Sequence, residues 1–418
     1  MKNISRKLVW MSILALFAFA SVVFSINYQT EAASEKETPG WHRVTSKKYY
    51  YVDSNGERAK KGWLTVGGKK YYIEKTGYRS RGLKKIKKKY YYFHKTKGYM
   101  VKGWKTINGS RYYFTKKKGY AKTGWLTVKG KTYHFGKLAK MDTGWNTIEE
   151  KKYYFDEKGA LQKSCFTPDG KYVDATGVLL QRSTLKKLLQ TALQPVGQTL
   201  YVWGGAWNEE DTGAGVEAVT LGVSPQWKKF YDQNDSSYDY NQTRYQIHNG
   251  LDCSGYVGWT VYNTFNTSNG NEGFVTESEE TANFAGKGWG IYAPAGSFSD
   301  YRAGDILSSS THVYIALGQC KDSSLVLLHS SPPGVVICGT CTRDGNYNSE
   351  AAELARKYMQ KYYPDWYSRY GSVTKGYSYL NNFSRMRWKI KGVSMMRDPN
   401  KYSKKTADQI LLDLLGPL

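Results

Sequence analysis

Leu251-Asp252-Cys253-Ser254-Gly255-Tyr256-Val257 sets a cysteine between an aspartate and a serine, with a glycine next and an aromatic and apolar run beyond it. Asp252 is a strong helix N-cap, because its carboxylate can accept the orphan N–H groups of a first helical turn. From Tyr256 to Phe265 the only helix-weakening residue is Gly258, so the run predicts a helix that opens at Cys253. That start puts the sulfur at the positive end of a helix dipole, where the nucleophilic thiolate is stabilised. Alone, the stretch admits a second reading, a buried structural cysteine, since unbridged cysteine is among the most buried residue types.

Moving outward, charge divides the 418-residue chain, whose net charge is +26. Residues 40–180 hold 34 Lys+Arg against 10 Asp+Glu, a net of +24, whereas residues 181–418 hold 23 against 22. A surface this basic seeks nucleic acid, anionic membrane or anionic wall polymer. The N-terminus chooses among these. Lys2, Arg6 and Lys7 precede an apolar run from Leu8 to Phe24, and Ala32 and Ala33 follow. This reads as a secretory signal peptide over 1–33, with an uncleaved anchor as the alternative. An exported chain turns its basic surface away from nucleic acid and toward wall polymer or surface lipid. The expected location is secreted and cell-wall associated, with no integral span after signal cleavage.

Five cysteines, at 165, 253, 320, 338 and 341, are too few and too odd in number for a disulfide framework. Cys338-Gly-Thr-Cys341 lacks the second pair that a zinc site needs, so no metal and no cofactor are expected. A local disulfide there, or one with Cys320, stays open.

Residues 40–180 are periodic. Gly-Trp or Gly-Leu pairs recur at Gly40, Gly62, Gly82, Gly103, Gly124 and Gly144, spaced by 22, 20, 21, 21 and 20 residues. Each pair opens a short strand. A Gly/Lys turn and an aromatic strand such as Lys70-Tyr71-Tyr72-Ile73 follow, and Cys165 to Gly177 is a degenerate seventh unit. One β-hairpin per unit is implied, and since a lone hairpin is marginal, stacking into a β-solenoid is expected. Candidate ligand-binding residues of the grooves are Trp41, Trp63, Trp104, Trp125 and Trp145, with Tyr71, Tyr72, Tyr112, Tyr113 and Tyr153. The alternative is that these aromatics are merely the solenoid core and the array is a spacer.

The units resemble the cell-wall-binding repeats also called choline-binding or glucan-binding repeats, over Gly40 to about Gly177. In choline-binding members a tryptophan precedes the Tyr-Tyr pair and helps cage a quaternary ammonium. Here Lys70, Arg111, Lys152 or Tyr90 stands there, which fits an anionic wall polymer or a glucan better.

From Ser183 the pattern changes. Leu185, Leu188, Leu189 and Leu193 recur at helical spacing, and a second domain is expected over 183–418. Within it, Tyr201-Val202-Trp203-Gly204-Gly205 precedes Cys253, and Gly304-Asp305 precedes two apolar strands. His312 heads one strand and His329 ends the next. Histidines at the ends of successive antiparallel strands are natural neighbours. Cysteine, histidine and histidine are the nucleophile, base and orienting group that thiol catalysis needs.

The order of these motifs resembles the NlpC-type family of papain-like cell-wall cysteine peptidases. The resemblance implies an α+β papain-like fold after the β-hairpin solenoid. It makes Cys253 the nucleophile, His312 the general base and acid and His329 the orienting group. Tyr201, Asp252 and Ser254 would line the substrate pocket, with the Cys253 N–H in the oxyanion hole. It implies endopeptidase activity on peptidoglycan stem peptides, between γ-D-glutamate and the diamino acid. Alternatives are an N-acetylmuramoyl-L-alanine amidase, a non-catalytic wall-binding adhesin and a phage lysin. Two departures stand out: an insertion at 206–251 rich in aromatics, suited to a lid or a specificity wall, and a long C-terminal extension. In that extension a helix near 349–362, a strand near 388–393 and a helix over 405–415 are expected.

Overall fold

A computed structural model describes residues 37–206, 222–265, 280–372 and 374–418. The expected signal peptide lies outside them, as does Trp207. The chain divides into two compact units, Met1–Gly124 with Phe135–Met141, and Trp125–His134 with Asp142–Leu418.

The repeats are antiparallel hairpins: Gly40–Arg43 with Tyr49–Val52, Gly62–Val66 with Lys69–Ile73, Gly82–Ile86 with Lys89–Phe93, and Gly103–Ile107 with Ser110–Phe114. Gly124–Val128 with Lys131–Phe135, and Gly144–Ile148 with Lys151–Phe155, continue the series. A three-stranded unit of Cys165–Phe166, Tyr172–Val173 and Leu179–Leu180 ends it. The glycine before each tryptophan takes a left-handed φ (+81° at Gly103, +70° at Gly124), a conformation that other residues adopt only at a cost, so the pair begins with glycine. Register sets Trp63 opposite Tyr72 and Trp104 opposite Tyr113. The segment after each hairpin donates back to the preceding one, through Arg79 N–H to Tyr49 O (2.9 Å), Ala121 N–H to Tyr90 O (2.8 Å) and Leu161 N–H to Thr132 O (2.8 Å). Within each unit these bonds stack one hairpin on another.

In the second unit a six-stranded, fully antiparallel sheet forms from β1 (Gly290–Ala293), β2 (Ile306–Ser308), β3 (Val313–Gln319), β4 (Leu325–Ser331), β5 (Gly334–Gly339) and β6 (Ser384–Trp388), in the order β1-β6-β2-β3-β4-β5. The helices are α1 (Leu185–Leu193), α2 (Pro225–Asp232), α3 (Cys253–Phe265), α4 (Glu280–Gly286), α5 (Glu350–Tyr362), α6 (Pro364–Tyr370), α7 (Ser378–Asn381) and α8 (Ala407–Leu415). The content is mixed α and β.

Helix α3 is buried on every side from Gly255 to Phe265, as expected of a helix that carries no charge. Its polar groups turn inward on its own backbone. Thr260 Oγ1 donates to Tyr256 O (2.9 Å) and Asn263 Nδ2 to Trp259 O (3.0 Å). Tyr256 OH donates to Ala192 O at 2.8 Å, tying α3 to α1.

The C-terminal extension is built into the sheet rather than appended to it, because β6 lies between β1 and β2. Its strand runs over 384–388 and not 388–393; Lys389 and Lys391 are exposed, and Gly392 turns the chain with φ +65°. Helix α5 starts one residue after the expected Ser349, which is its N-cap. Tyr172 of the last repeat belongs to the same core, 5.2 Å edge-on from Trp289. In the insertion, Trp227, Phe230 and Tyr231 of α2 are buried, and Tyr231 stacks on Trp366 at 5.8 Å. That part is a packed wall of the domain.

Candidate active site

The start of α3 is built backbone against backbone. Asp252 Oδ1 accepts the Gly255 N–H at 2.7 Å and the Ser254 hydroxyl at 2.9 Å, a cap of the expected kind. Burial pushes the Asp252 carboxyl above its ordinary value. The Asp252 N–H donates to Gly205 O (2.9 Å). A Cβ on Gly255 would lie 2.0 Å from that same oxygen. The glycines of Trp203-Gly204-Gly205 and Asp252-Cys253-Ser254-Gly255 are therefore a matched contact that leaves no room for side chains. Ser330 Oγ donates to Leu251 O at 2.6 Å, which clamps the approach to Cys253 onto β4. Cys253 itself is half-buried.

The two histidines meet. His312 precedes β3, His329 lies in β4, and His312 Nε2 is 2.8 Å from His329 Nδ1. Burial, and after it the charge of Lys375, hold the His312 imidazole down at about 4. The same two causes, with His312 added, hold fully buried His329 well below its ordinary value. Both rings are thus neutral near pH 7. Among the described residues His329 Nε2, on the far side of its ring, has no hydrogen-bond partner. His329 also lines a cavity of about 20 Å³ with Ser331, Trp366, Tyr370 and Lys375, room for one water molecule.

Tyr379 connects the halves of the site. Its ring centroid is 5.7 Å from that of His312 and 6.1 Å from that of His329. Burial pushes its hydroxyl up to about 12, with Cys338 and Cys253 adding to the rise. Tyr201 is 7% exposed and sits edge-on to Tyr240 at 5.4 Å. Its hydroxyl is raised first by burial and then by Cys253. Cys253 is thus within electrostatic reach of both Tyr201 and Tyr379. Trp203 is 44% exposed beneath the Arg244 guanidinium, which lies 5.0 Å from its ring.

Sequence reasoning missed Tyr379, Lys375 and Ser330. Tyr379 and Lys375 carry no local signature, since each reaches the site only when the C-terminal segment folds back. Asp305 proves structural: it is buried and paired with Arg387 at 2.7 Å. No disulfide joins any of the five cysteines. Among the described residues Cys320, Asp322 and Glu350 offer ligand atoms within 4.8 Å of one another. Their oxygens already accept backbone N–H groups, Glu350 from Lys321 (2.9 Å) and Asp322 from Glu350 (2.7 Å). No helix among the described residues is long and apolar enough to cross a membrane.

In the repeats, the placement of Tyr71, Tyr112 and Tyr113 corrects the expectation that they line open grooves. They are only 8%, 4% and 8% exposed; Tyr112 belongs to a core cluster with Tyr92 and Phe114, and its neighbour Tyr113, on the opposite face of the strand, is covered by Trp104. Trp63 is 46% exposed. Trp41, Trp104, Trp125, Trp145, Tyr72 and Tyr153 are half-buried, and each tryptophan packs edge-on or tilted against tyrosine, histidine or phenylalanine rings.

Family models match within the repeats. A choline-binding repeat matches residues 80–123, and a putative cell wall binding repeat matches 61–79, 123–137 and 143–161. No curated protein matches the chain. Solved structures similar to it include choline binding protein F from Streptococcus pneumoniae, 31% identical, with a TM-score of 0.32 over 34% of this chain and 48% of that one. The choline-binding domain of CbpL from the same organism is 22% identical, with a TM-score of 0.27 over 35% and 88%. The modular Cpl-1 endolysin complexed with a peptidoglycan analogue is 26% identical, with a TM-score of 0.23 over 30% and 37%. The chain spans about half the length of choline binding protein F. Within residues 61–161, then, the hairpin units are similar to choline-binding and putative cell wall binding repeats.

Proposed function

We propose that the protein is a secreted, wall-tethered thiol hydrolase that cuts stem-peptide bonds of peptidoglycan. The observation that carries this reading is the 2.8 Å pairing of His312 with His329 in a core that also holds the capped helix start at Cys253. Two adjacent neutral imidazoles, one fully buried, are costly for a fold to keep unless they serve chemistry.

In this reading His312 donates its Nε2–H to His329 Nδ1, and that bond fixes the tautomer. Nδ1 of His312 then carries the lone pair that takes the Cys253 thiol proton. The thiolate attacks the amide carbonyl, and the S–C bond forms as the carbonyl electrons move to oxygen. The Cys253 N–H at the positive end of α3 stabilises that oxyanion. His312 returns the proton to the leaving amine as the C–N bond breaks, leaving a thioester. Water, deprotonated by His312, hydrolyses the thioester and restores the thiol. Tyr201, Asp252 and Ser254 shape the pocket around the nucleophile. The resemblance to NlpC-type peptidases points to the bond after γ-D-glutamate, and the repeats raise the local concentration of scissile stems.

The test is digestion of purified peptidoglycan by wild type and Cys253→Ala, with new termini identified by mass spectrometry. Wild type is expected to release stem fragments with a free diamino-acid amine, and the variant none. Cleavage at the sugar–alanine amide would make the protein an amidase. No release from any wall type would remove the enzyme reading.

A further inference from the structure

The insertion presents a cation with open donors next to the motif that seats the nucleophile. Arg244 is exposed, and its guanidinium rests on Trp203, 5.0 Å from the ring centroid. Among the described residues that guanidinium has no hydrogen-bond or ion-pair partner. Asp239 is the acidic group within reach of its charge. The Asp239 carboxylate is already turned to Asn241, accepting its N–H at 2.9 Å and its Nδ2 at 3.0 Å.

The backbone fixes this arrangement. Tyr245 takes a left-handed φ of +64°, a conformation costly for a bulky side chain and one that clusters at ligand sites. The turn sets the Tyr245 N–H on Trp203 O at 2.9 Å, and the Tyr245 ring stands out, 71% exposed. Thr243 Oγ1 pairs with the Tyr238 hydroxyl at 2.7 Å, and that hydroxyl donates to Tyr201 O at 2.7 Å. The segment around Arg244 is thereby bonded to the carbonyls of both Tyr201 and Trp203. The residues that follow Trp203 are bonded in turn to the one before the nucleophile. The Gly204 N–H donates to the Asp252 carboxylate, and the Asp252 N–H donates to Gly205 O. The Tyr201 hydroxyl lies within electrostatic reach of Cys253 on one side and Arg244 on the other.

A guanidinium seated on an indole keeps its N–H edge outward, in the fork that fits a carboxylate with two parallel bonds. The ring also holds the long side chain in place, so less freedom is lost when an anion arrives. A γ-linked glutamate offers the matching group. Its side-chain carboxyl forms the amide, so its α-carboxylate stays free on the same residue as the scissile carbonyl. We propose that Arg244, laid on Trp203, is the receptor for the free α-carboxylate of a γ-linked glutamate in the bound stem peptide. The chain then selects stems in which that carboxylate is not amidated.

This inference rests on the stem-peptide hydrolase reading, and the test separates the two. The probes are alanyl-γ-D-glutamyl peptides ending in lysine or diaminopimelate, and the same peptides with the glutamate α-carboxyl amidated; the protein is the full chain. Cleavage is read by amine release, and binding by calorimetry in the Cys253→Ala background, where affinity is measured without turnover. The free carboxylate is expected to raise kcat/KM and affinity about tenfold over the amidated peptide. Arg244→Gln is expected to shrink both ratios to within about twofold, and Arg244→Lys, which keeps the charge without the fork, to leave intermediate ratios, with unchanged circular dichroism. Equal cleavage of the two forms by wild type, or a preference that survives Arg244→Gln, overturns the inference and leaves the hydrolase reading in place. An Arg244-dependent binding preference without cleavage of any peptide removes the hydrolase reading and leaves the inference. Neither binding nor cleavage overturns both.

Discussion

Acidification should destabilise the second unit through its histidine pair, and the size of the effect follows from the site. His312 ordinarily titrates at 6.5 and is held at about 4 in the folded protein. In the unfolded chain it returns to 6.5. Above that value both states are neutral and nothing is lost. Between 6.5 and about 4 the unfolded state takes up a proton that the folded state refuses, so stability falls with pH. At 1.36 kcal/mol per decade, His312 alone contributes a loss of about 2 kcal/mol by pH 5 and about 3 kcal/mol by pH 4. His329, fully buried and shifted the same way, adds to it. For a unit of this size, about 2 kcal/mol corresponds to about 4–8 °C in Tm. The assay is thermal unfolding followed by near-ultraviolet circular dichroism at about pH 7.5 and about pH 5, for wild type, His312→Gln and His329→Gln. Carboxylates titrate in all three proteins, so the difference between wild type and variant isolates the imidazole. Each variant is expected to lose up to about 2 kcal/mol less than wild type between the two conditions. Equal losses would refute the account of the pair as neutral by burial.

Two further outcomes are expected. Gly255→Ala drives a Cβ to 2.0 Å from Gly205 O and should lower the unfolding free energy by about 3 kcal/mol in urea titrations; an unchanged midpoint would contradict the backbone contact. Lys375→Met removes a cation that depresses both imidazoles, so the pH midpoint for alkylation of Cys253 by iodoacetamide, read by peptide mass, should move upward, and an unmoved midpoint would remove Lys375 from the site.

The likeness of the repeats to choline-binding repeats rests on a regular glycine–aromatic period, and that period is local chemistry. The hairpins form where glycine and aromatic strands alternate, and the cap on α3 forms because Asp252 and Gly255 are three residues apart. The pairing of His312 with His329 was also legible, because a short turn joins their two apolar strands and makes them antiparallel neighbours. Interactions confined to a turn or a hairpin leave their signature in residue spacing, and these were open to reading.

Tertiary structure decided the rest. Strand β6 enters the sheet between β1 and β2 from the far end of the chain, and no short-range pattern encodes which strand a segment will pair with. That return carries Tyr379 against both histidines and brings Lys375 to the cavity behind them. In the repeats the sequence placed Arg111 and Lys152 where a cage tryptophan stands in relatives, but only the folded register laid those cations across Trp104 and Trp145. Arg79 reaches Trp41 only because one hairpin bonds back onto the one before it. The sequence by itself determined which local elements form and which side chains are candidates for thiol chemistry. Which face of each aromatic ring is open, and what charge meets an arriving ligand, depends on contacts between segments far apart in the chain.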